Sequence, residues 1–266
     1  MLVALRADQR VTAWEAQKGL LFVCPKCRTQ VTLKKGRLVA HHFAHKPPVT
    51  CPWAAGETQG HLKAKMLLHA MFTNRGLGAA VEAEVLSDEG DRRADVLVWW
   101  PQGRAAFEVQ HQPLSFEAID RRTRAYMAAG VPVIWLALIS QDHIDAAEIT
   151  PTGRKIARYA ARPWEKWVHT YGMGQIWFID PVNGVFWRGV LRESRIEVPY
   201  SSWYVRGGDQ ESAGGYSKAS KRWRELLLEG PYAPEQVWLN VFNRKAYATR
   251  DYTIPAGPAA SLQKTR

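Results

Sequence analysis

The chain of 266 residues has only three cysteines, Cys24, Cys27 and Cys51. So small and odd a number argues against a disulfide framework and fits a reducing cytoplasm. Long apolar runs are also missing. The longest, Val131 to Ile139, spans nine residues and contains Pro132. That excludes a transmembrane helix, so no membrane partner is expected. Arg6, Asp8 and Arg10 stand where a signal peptide would need an apolar stretch, so export by that route is not expected. Acidic residues are scarce relative to basic ones, 25 against 36, for a formal net charge of +11. With 46% hydrophobic and 23% charged residues, the composition is that of a globular protein and not of a mainly disordered one.

The positive charge is uneven. Residues 1–56 carry a net +7, residues 57–140 a net −1 and residues 141–266 a net +5. A basic N-terminal stretch before a balanced middle points to a polyanionic partner, most often nucleic acid. A solubilising surface is the plainer alternative. The sequence divides into a module at 1–56, a core at 57–140 and a Trp-rich extension at 141–266.

Within the first module, Cys24-Pro25-Lys26-Cys27 is a C-x-x-C pair followed by His41, His42, His45 and Cys51. Thiolate and imidazole are the ligands zinc favours, and one tight turn can present two of them at this spacing. The expected set is Cys24, Cys27, His45 and Cys51, with His42 as the alternative and His41 weaker. Four ligands leave no open position, which makes such a site structural. A module this short buries little apolar surface and gains from a metal. Phe22, Val23, Val31, Leu33, Leu38, Val39 and Phe43 read as short strands around it. A redox dithiol or chance clustering is the competing reading, but a redox pair wants a βαβ context.

The middle reads as helix, three strands, helix, strand. Leu62, Met66, His69 and Phe72 recur at helical spacing between Gly56 and Asn74, before Arg75-Gly76. Glu57, His61 and Lys65 share one face of that helix, which is either a site or an ordinary solvated stripe. Strands are expected at Ala79–Leu86, Arg93–Trp100 and Arg104–Gln110, separated by Asp88-Glu89-Gly90 and Pro101-Gln102-Gly103. Ser115 opens a second helix that Gly130 closes, and Val131 to Leu138 is an apolar strand. Asp95 interrupts an apolar strand. Glu108 and Gln110 point to one face of the next. If these strands pair, two carboxylates meet beside an amide in an oxygen-rich site suited to Mg²⁺ or Mn²⁺. Polar residues at solvent-facing strand ends are the other reading.

The order of motifs resembles the CoiA-like competence protein family. The matching residues are Cys24-Pro25-Lys26-Cys27, His42-Phe43-Ala44-His45, Cys51, Glu57 with His61 and Lys65, Ala94-Asp95-Val96-Leu97-Val98, Glu108-Val109-Gln110, Pro113-Leu114-Ser115, Arg122 with Tyr126, and Val133-Ile134-Trp135-Leu136. The resemblance covers residues 1 to about 140. It implies an α/β fold with a PD-(D/E)XK restriction-endonuclease-like core (αβββαβ), a small zinc module before it and an α+β extension after it. It implies that Asp95 and Glu108 hold a catalytic Mg²⁺ or Mn²⁺, assisted by Glu57 and the Val109 carbonyl. Gln110 stands where such nucleases usually carry Lys, and cannot supply that charge. It would orient the attacking water, with His61 or Lys65 supplying proton transfer or charge. Thr58 and Gln112 stand where the family often has Ser. Arg122 and Tyr126, one helical turn apart, would face the site and contact a DNA phosphate, with a structural ion pair as the alternative for Arg122.

Residues 141–266 hold seven of the twelve Trp: Trp164, Trp167, Trp177, Trp187, Trp203, Trp223 and Trp238. They read as core packing in preference to a strand-binding surface. Gln175–Asp180 and Val185–Leu191 flank Asn183-Gly184 as a hairpin. Gly207-Gly208 to Gly214-Gly215 reads as a flexible boundary, Ser217–Glu229 as a helix and Pro255–Arg266 as disordered. The function expected is metal-dependent nuclease-like DNA processing of incoming or recombining DNA, as in natural transformation. The DNA would be single- or double-stranded, with recombination proteins as possible partners. The alternatives are a non-catalytic DNA-binding adaptor with a nuclease fold, or a nuclease of a mobile element or defence system.

Overall fold

A computed structural model describes the chain except residues 38, 55, 102 and 266, so the expectations at Leu38, Gln102 and Arg266 lie outside the described residues. The N-terminal part forms a five-stranded sheet from β1 (Val3–Arg6), β2 (Gln9–Thr12), β3 (Phe22–Val23), β4 (Gln30–Lys34) and β5 (His42–His45), in the order β2-β1-β3-β4-β5. Phe22, Val31 and Phe43 fill its small core, and Val39 lies outside the strands. The first hairpin, β1 and β2, has no strong alternation to announce it.

The middle follows the expected element order. Helix α1 (Gln59–Thr73) is capped by Thr58, whose Oγ1 accepts the His61 N–H at 3.2 Å. Strands β6 (Gly78–Val85), β7 (Arg92–Trp100) and β8 (Gly103–Gln110) run antiparallel in sequence. Helix α2 (Phe116–Ala128) follows, capped by Ser115, whose Oγ accepts the Ala118 N–H. Gly130, at φ 68°, ends it by a left-handed turn that disfavours other residues. Strand β9 (Val133–Leu138) returns parallel to β8.

The chain continues through α3 (Gln141–Asp145), β10 (Glu148–Thr150), β11 (Gly153–Tyr159), α4 (Pro163–Tyr171), β12 (Ile176–Asp180), β13 (Val185–Val198), β14 (Ser201–Tyr204), β15 (Gln210–Ala213) and β16 (Tyr216–Tyr232). Of these, β10, β11, β12, β13 and β16 join the same sheet, whose order is β10-β11-β16-β13-β12-β9-β8-β7-β6. Strands β8, β9 and β12 are mutually parallel and the other neighbours antiparallel, so the fold is mixed α/β with one large mixed sheet. Helix α1 packs on one face through Leu62, Leu68 and Phe72, the last 5.0 Å from Phe107. Helices α2 and α4 cover the other through Ile119, Tyr126, Trp164 and Trp167. Each fully buried side chain of this kind stabilises the fold by roughly 1.5–3 kcal/mol.

Three expectations in the last third are corrected. Ser217–Glu229 is not helical but lies within β16, paired with β13 on one edge and β11 on the other. Its leucines obey a period of two: Leu226 and Leu228 are buried while Leu227 is half-buried. The Gly-rich stretch bounds the small hairpin of β14 and β15 and is no boundary, since β13 and β16 pair on either side of it. The C-terminal stretch forms strands up to Lys264: β17 (Val237–Arg244) pairs with β20 (Gly257–Lys264), burying Ala259 and Leu262, and β18 (Tyr247–Ala248) pairs with β19 (Thr253–Ile254). The expected hairpin around Asn183-Gly184 is present, and Trp164, Trp167, Trp177 and Trp187 are buried in the main core. Trp203 and Trp238 are exposed. Among the described residues no helix is long and apolar enough to cross a membrane.

Candidate functional site

Two clusters of ligating side chains stand close together in the fold. In the N-terminal module, ligand atoms of Cys24, Cys27, His45 and Cys51 all lie within 4.8 Å of one another. Cys24 Sγ is 3.9 Å from Cys51 Sγ, and Cys27 Sγ is 3.4 Å from His45 Nε2. Zinc–sulfur bonds of about 2.3 Å in a tetrahedron place two sulfurs about 3.8 Å apart, so the spacing suits that ion. The turn after β3 presents the first pair, the end of β5 presents His45, and Cys51 lies just before the short 3₁₀ turn Pro52–Ala54. Burial pushes the Cys24 thiol up to about 11. Burial would raise the Cys27 thiol, but hydrogen bonds with Thr29, His45 and Cys51 together outweigh it and bring Cys27 down to about 6. A thiolate is therefore available before any metal arrives. His42 turns away, its Nδ1 lying 2.9 Å from the Ala40 carbonyl.

The second cluster, Glu57, His61 and Asp95, also has ligand atoms within 4.8 Å of one another. It opens into a cavity of about 520 Å³ that Glu108, Val109, Gln110, His111 and Arg122 also line. Glu57 lies just before the cap of α1, His61 in its first turn and Lys65 one turn on, so helix geometry gathers the three on one side. This is no solvated stripe: Lys65 is 0% exposed and His61 8%. His61 Nδ1 is 3.1 Å from Glu57 Oε1, and its Nε2 is 3.0 Å from Asp95 Oδ2. The Val109 N–H donates to Asp95 Oδ2 at 2.8 Å. Lys65 Nζ donates to Glu57 and, at 2.7 Å, to Glu82 Oε1, and lies 3.9 Å from Asp95. Burial alone would lower the His61 pKa, but Asp95 and Glu57 outweigh it and hold it at about 9. Burial would raise the Asp95 carboxyl, yet His61 and Lys65 keep it below the usual range.

Glu108 faces the same cavity but is already engaged. Arg122 Nη2 donates to its Oε2 at 2.7 Å and the Tyr126 hydroxyl to its Oε1 at 2.5 Å. Burial raises its pKa, with Arg122 opposing. Arg122 thus makes the ion pair that the sequence left as its alternative role, and also lies 5.0 Å over the Trp135 ring. Gln110 is turned aside, its Nε2 donating to the Gln112 carbonyl at 2.8 Å.

Glu82 escaped the sequence reading. It sits at φ 52° in β6, a left-handed conformation that costs of order 1 kcal/mol or more in a residue with a Cβ. Val81 and Val96 face the α1 layer, whereas Ala83 and Ala94 face the α2 layer, so the strand pair turns over at Glu82 and Asp95. The turn drives the Glu82 carboxylate inward, where it takes the N–H of Leu2 at 2.6 Å, that of Val3 at 3.3 Å, and Lys65. His111, whose ring centroid is 4.9 Å from that of His61, was also missed. No spacing rule marks either residue.

The fold and the two clusters define a nuclease-like α/β protein with an N-terminal zinc-type module. Residues 5–54 match the profile of "Competence protein CoiA, N-terminal domain" and residues 57–169 that of "Competence protein CoiA, nuclease-like domain". The chain belongs to the CoiA-like competence protein family. It is 25% identical over 116 residues to Competence protein CoiA of Bacillus subtilis (strain 168), a stretch that is 43% of this chain and 31% of that protein. The match therefore spans about a third of that relative's length. No solved structure matches the chain.

Proposed function

We propose that the protein is a metal-dependent DNA phosphodiesterase with a PD-(D/E)XK-type core, acting on incoming or recombining DNA. The observation that carries this is the convergence of Glu57, His61 and Asp95 in an open polar cavity on an αβββαβ framework. In this reading residues 1–56 are the zinc module, 57–140 the catalytic core and 141–266 an extension that lengthens its sheet. The donor set fits a hard divalent ion: the Glu57 and Asp95 carboxylates converge on the cavity, and Glu57 Oε2 is held 3.0 Å from the Met1 ammonium. Glu57 and Asp95 would hold Mg²⁺ or Mn²⁺, with Glu108 and the Val109 carbonyl beside them. When bound, such an ion lowers the pKa of water and stabilises charge on phosphate. Lys65 holds Glu57 in place, and the Val109 N–H orients Asp95. His61, cationic near neutral pH, can give a proton toward a leaving oxygen. Tyr126 and Arg122 fix Glu108, and Gln110 needs a turn of its side chain to reach a water in the cavity.

The test is cleavage of labelled single- and double-stranded DNA with Mg²⁺ or Mn²⁺ and with chelator, beside Asp95→Asn and Glu108→Ala. Metal-dependent cleavage that both substitutions abolish is expected. Binding without cleavage, equal in all three proteins, would overturn catalysis. One observation favours the second reading, a non-catalytic DNA-binding adaptor. Three carboxylates of the cavity wall, Glu57, Asp95 and Glu108, already have a cationic partner in Lys65, His61 or Arg122.

A further inference from the structure

Arg92 and Arg93 open β7, just before Asp95, and both line the same cavity. Arg92 Nε and Arg93 Nη1 are buried and have no hydrogen-bond partner. Buried cationic donors without acceptors are costly, and each calls for a ligand to satisfy it. The acidic neighbours do not supply one. Glu84, the register partner of Arg93, is exposed, and Asp91 is tied to its own turn, accepting the Ser87 N–H at 3.2 Å. Arg122, across the cavity, is spent on Glu108.

Arg93 is also held in place. Its guanidinium lies 4.4 Å over the ring of Trp53, in the 3₁₀ turn that follows Cys51. A guanidinium stacked on an aromatic face keeps its edge free for a planar, bidentate acceptor, and phosphate is the acceptor that this fork matches. Two residues along a strand span about 7 Å. That is comparable with the reach from one phosphate to the next in an extended nucleic-acid strand.

We propose that Arg92 and Arg93 form a second phosphate subsite, holding the backbone phosphate next to the one at Glu57, His61 and Asp95. This rests on the nucleic-acid reading above and adds to it the direction of the strand. The strand leaves the cavity along the start of β7, toward the zinc module, which contributes through Trp53. Integrity of the thiol cluster then governs strand binding as well as folding.

The experiment is the salt dependence of binding of a fluorescent single-stranded oligodeoxynucleotide to the full chain, with Ca²⁺ in place of Mg²⁺ to suppress turnover. The variants are Arg92→Gln/Arg93→Gln and a control pair, Arg158→Gln/Arg206→Gln, exposed on β11 and at the β14–β15 turn. Circular dichroism melts confirm that each is folded. Losing two phosphate contacts on a single strand is expected to flatten the log–log slope by about 1.4, with the control unchanged. An unchanged slope in the Arg92/Arg93 variant, or an equal loss in the control, overturns the subsite and leaves the nucleic-acid reading intact. Absence of binding by the unaltered protein at low salt overturns both. Trp53→Leu, which keeps both charges, is expected to weaken binding less than the double variant.

Discussion

The thiol–imidazole cluster and the carboxylate cluster gather ligands by opposite means. Cys24, Cys27, His45 and Cys51 bond to one another and to Thr29. Burial holds Cys24 protonated until a cation compensates it. Glu57, Asp95 and Glu82 are instead supplied with Lys65, His61 and the Met1 ammonium, so the charge is balanced by the chain itself. The first is a site that a zinc ion could complete, and the second is assembled by the chain's own charges. Metal removal should therefore act on folding in one place and on chemistry alone in the other.

The largest effect should come from breaking the first cluster. A structural zinc contributes on the order of 10–16 kcal/mol in small modules. Cys24→Ser or Cys51→Ser should lose the bound zinc, read by elemental analysis, and with it the cooperative melting of the N-terminal part. Full metal content in Cys51→Ser would remove that residue from the ligand set. Breaking the second cluster at its internal cation should cost less. Lys65→Met strands buried carboxylates and is expected to cost about 3–5 kcal/mol in urea unfolding. Adding Glu82→Gln should recover part of that loss. If the two substitutions simply add, Lys65 and Glu82 are not a functional pair.

The balance can be sharpened with pH. Folded His61 titrates near 9, against about 6.5 when unfolded. Its stabilisation is fully present below pH 6.5 and is lost as pH rises through about 9. Urea midpoints measured without divalent ions should fall across that window, and His61→Gln should flatten the fall. A smaller effect is expected at Glu108, where Tyr126→Phe removes one hydrogen bond to a carboxylate and should cost about 1.5–3 kcal/mol. The smallest is Thr58→Ala, about 1 kcal/mol from the lost cap, read in the same melts.

Much of this was legible in the residues because it is local. Cys24 to Cys51 fall within 28 residues, and Glu57, His61 and Lys65 follow helical spacing, so chain geometry alone brings them together. The caps Thr58 and Ser115 and the turn at Asn183-Gly184 are equally local. What failed depended on distant partners. Lys218, Lys221, Arg222 and Leu226 to Leu228 look helical until β11 and β13 flank them. Glu82 and Glu84 look alike in an alternating strand, yet one is buried and the other exposed. Only the backbone turn at Glu82 separates them, and its cause lies in Lys65, Leu2 and Val3.

That carboxylate also determines what can be cut away. A chain begun at residue 57 would keep every charged residue of the cavity wall and lose the two backbone donors that Leu2 and Val3 bring to Glu82, together with the Met1 ammonium 3.0 Å from Glu57 Oε2. An internal anion would then lean on Lys65 alone and draw it from Glu57, loosening the start of α1 where the second cluster begins. The N-terminal strand is therefore part of the cavity's scaffolding although it lines none of it, and an isolated nuclease-like segment would be a poor stand-in for the whole.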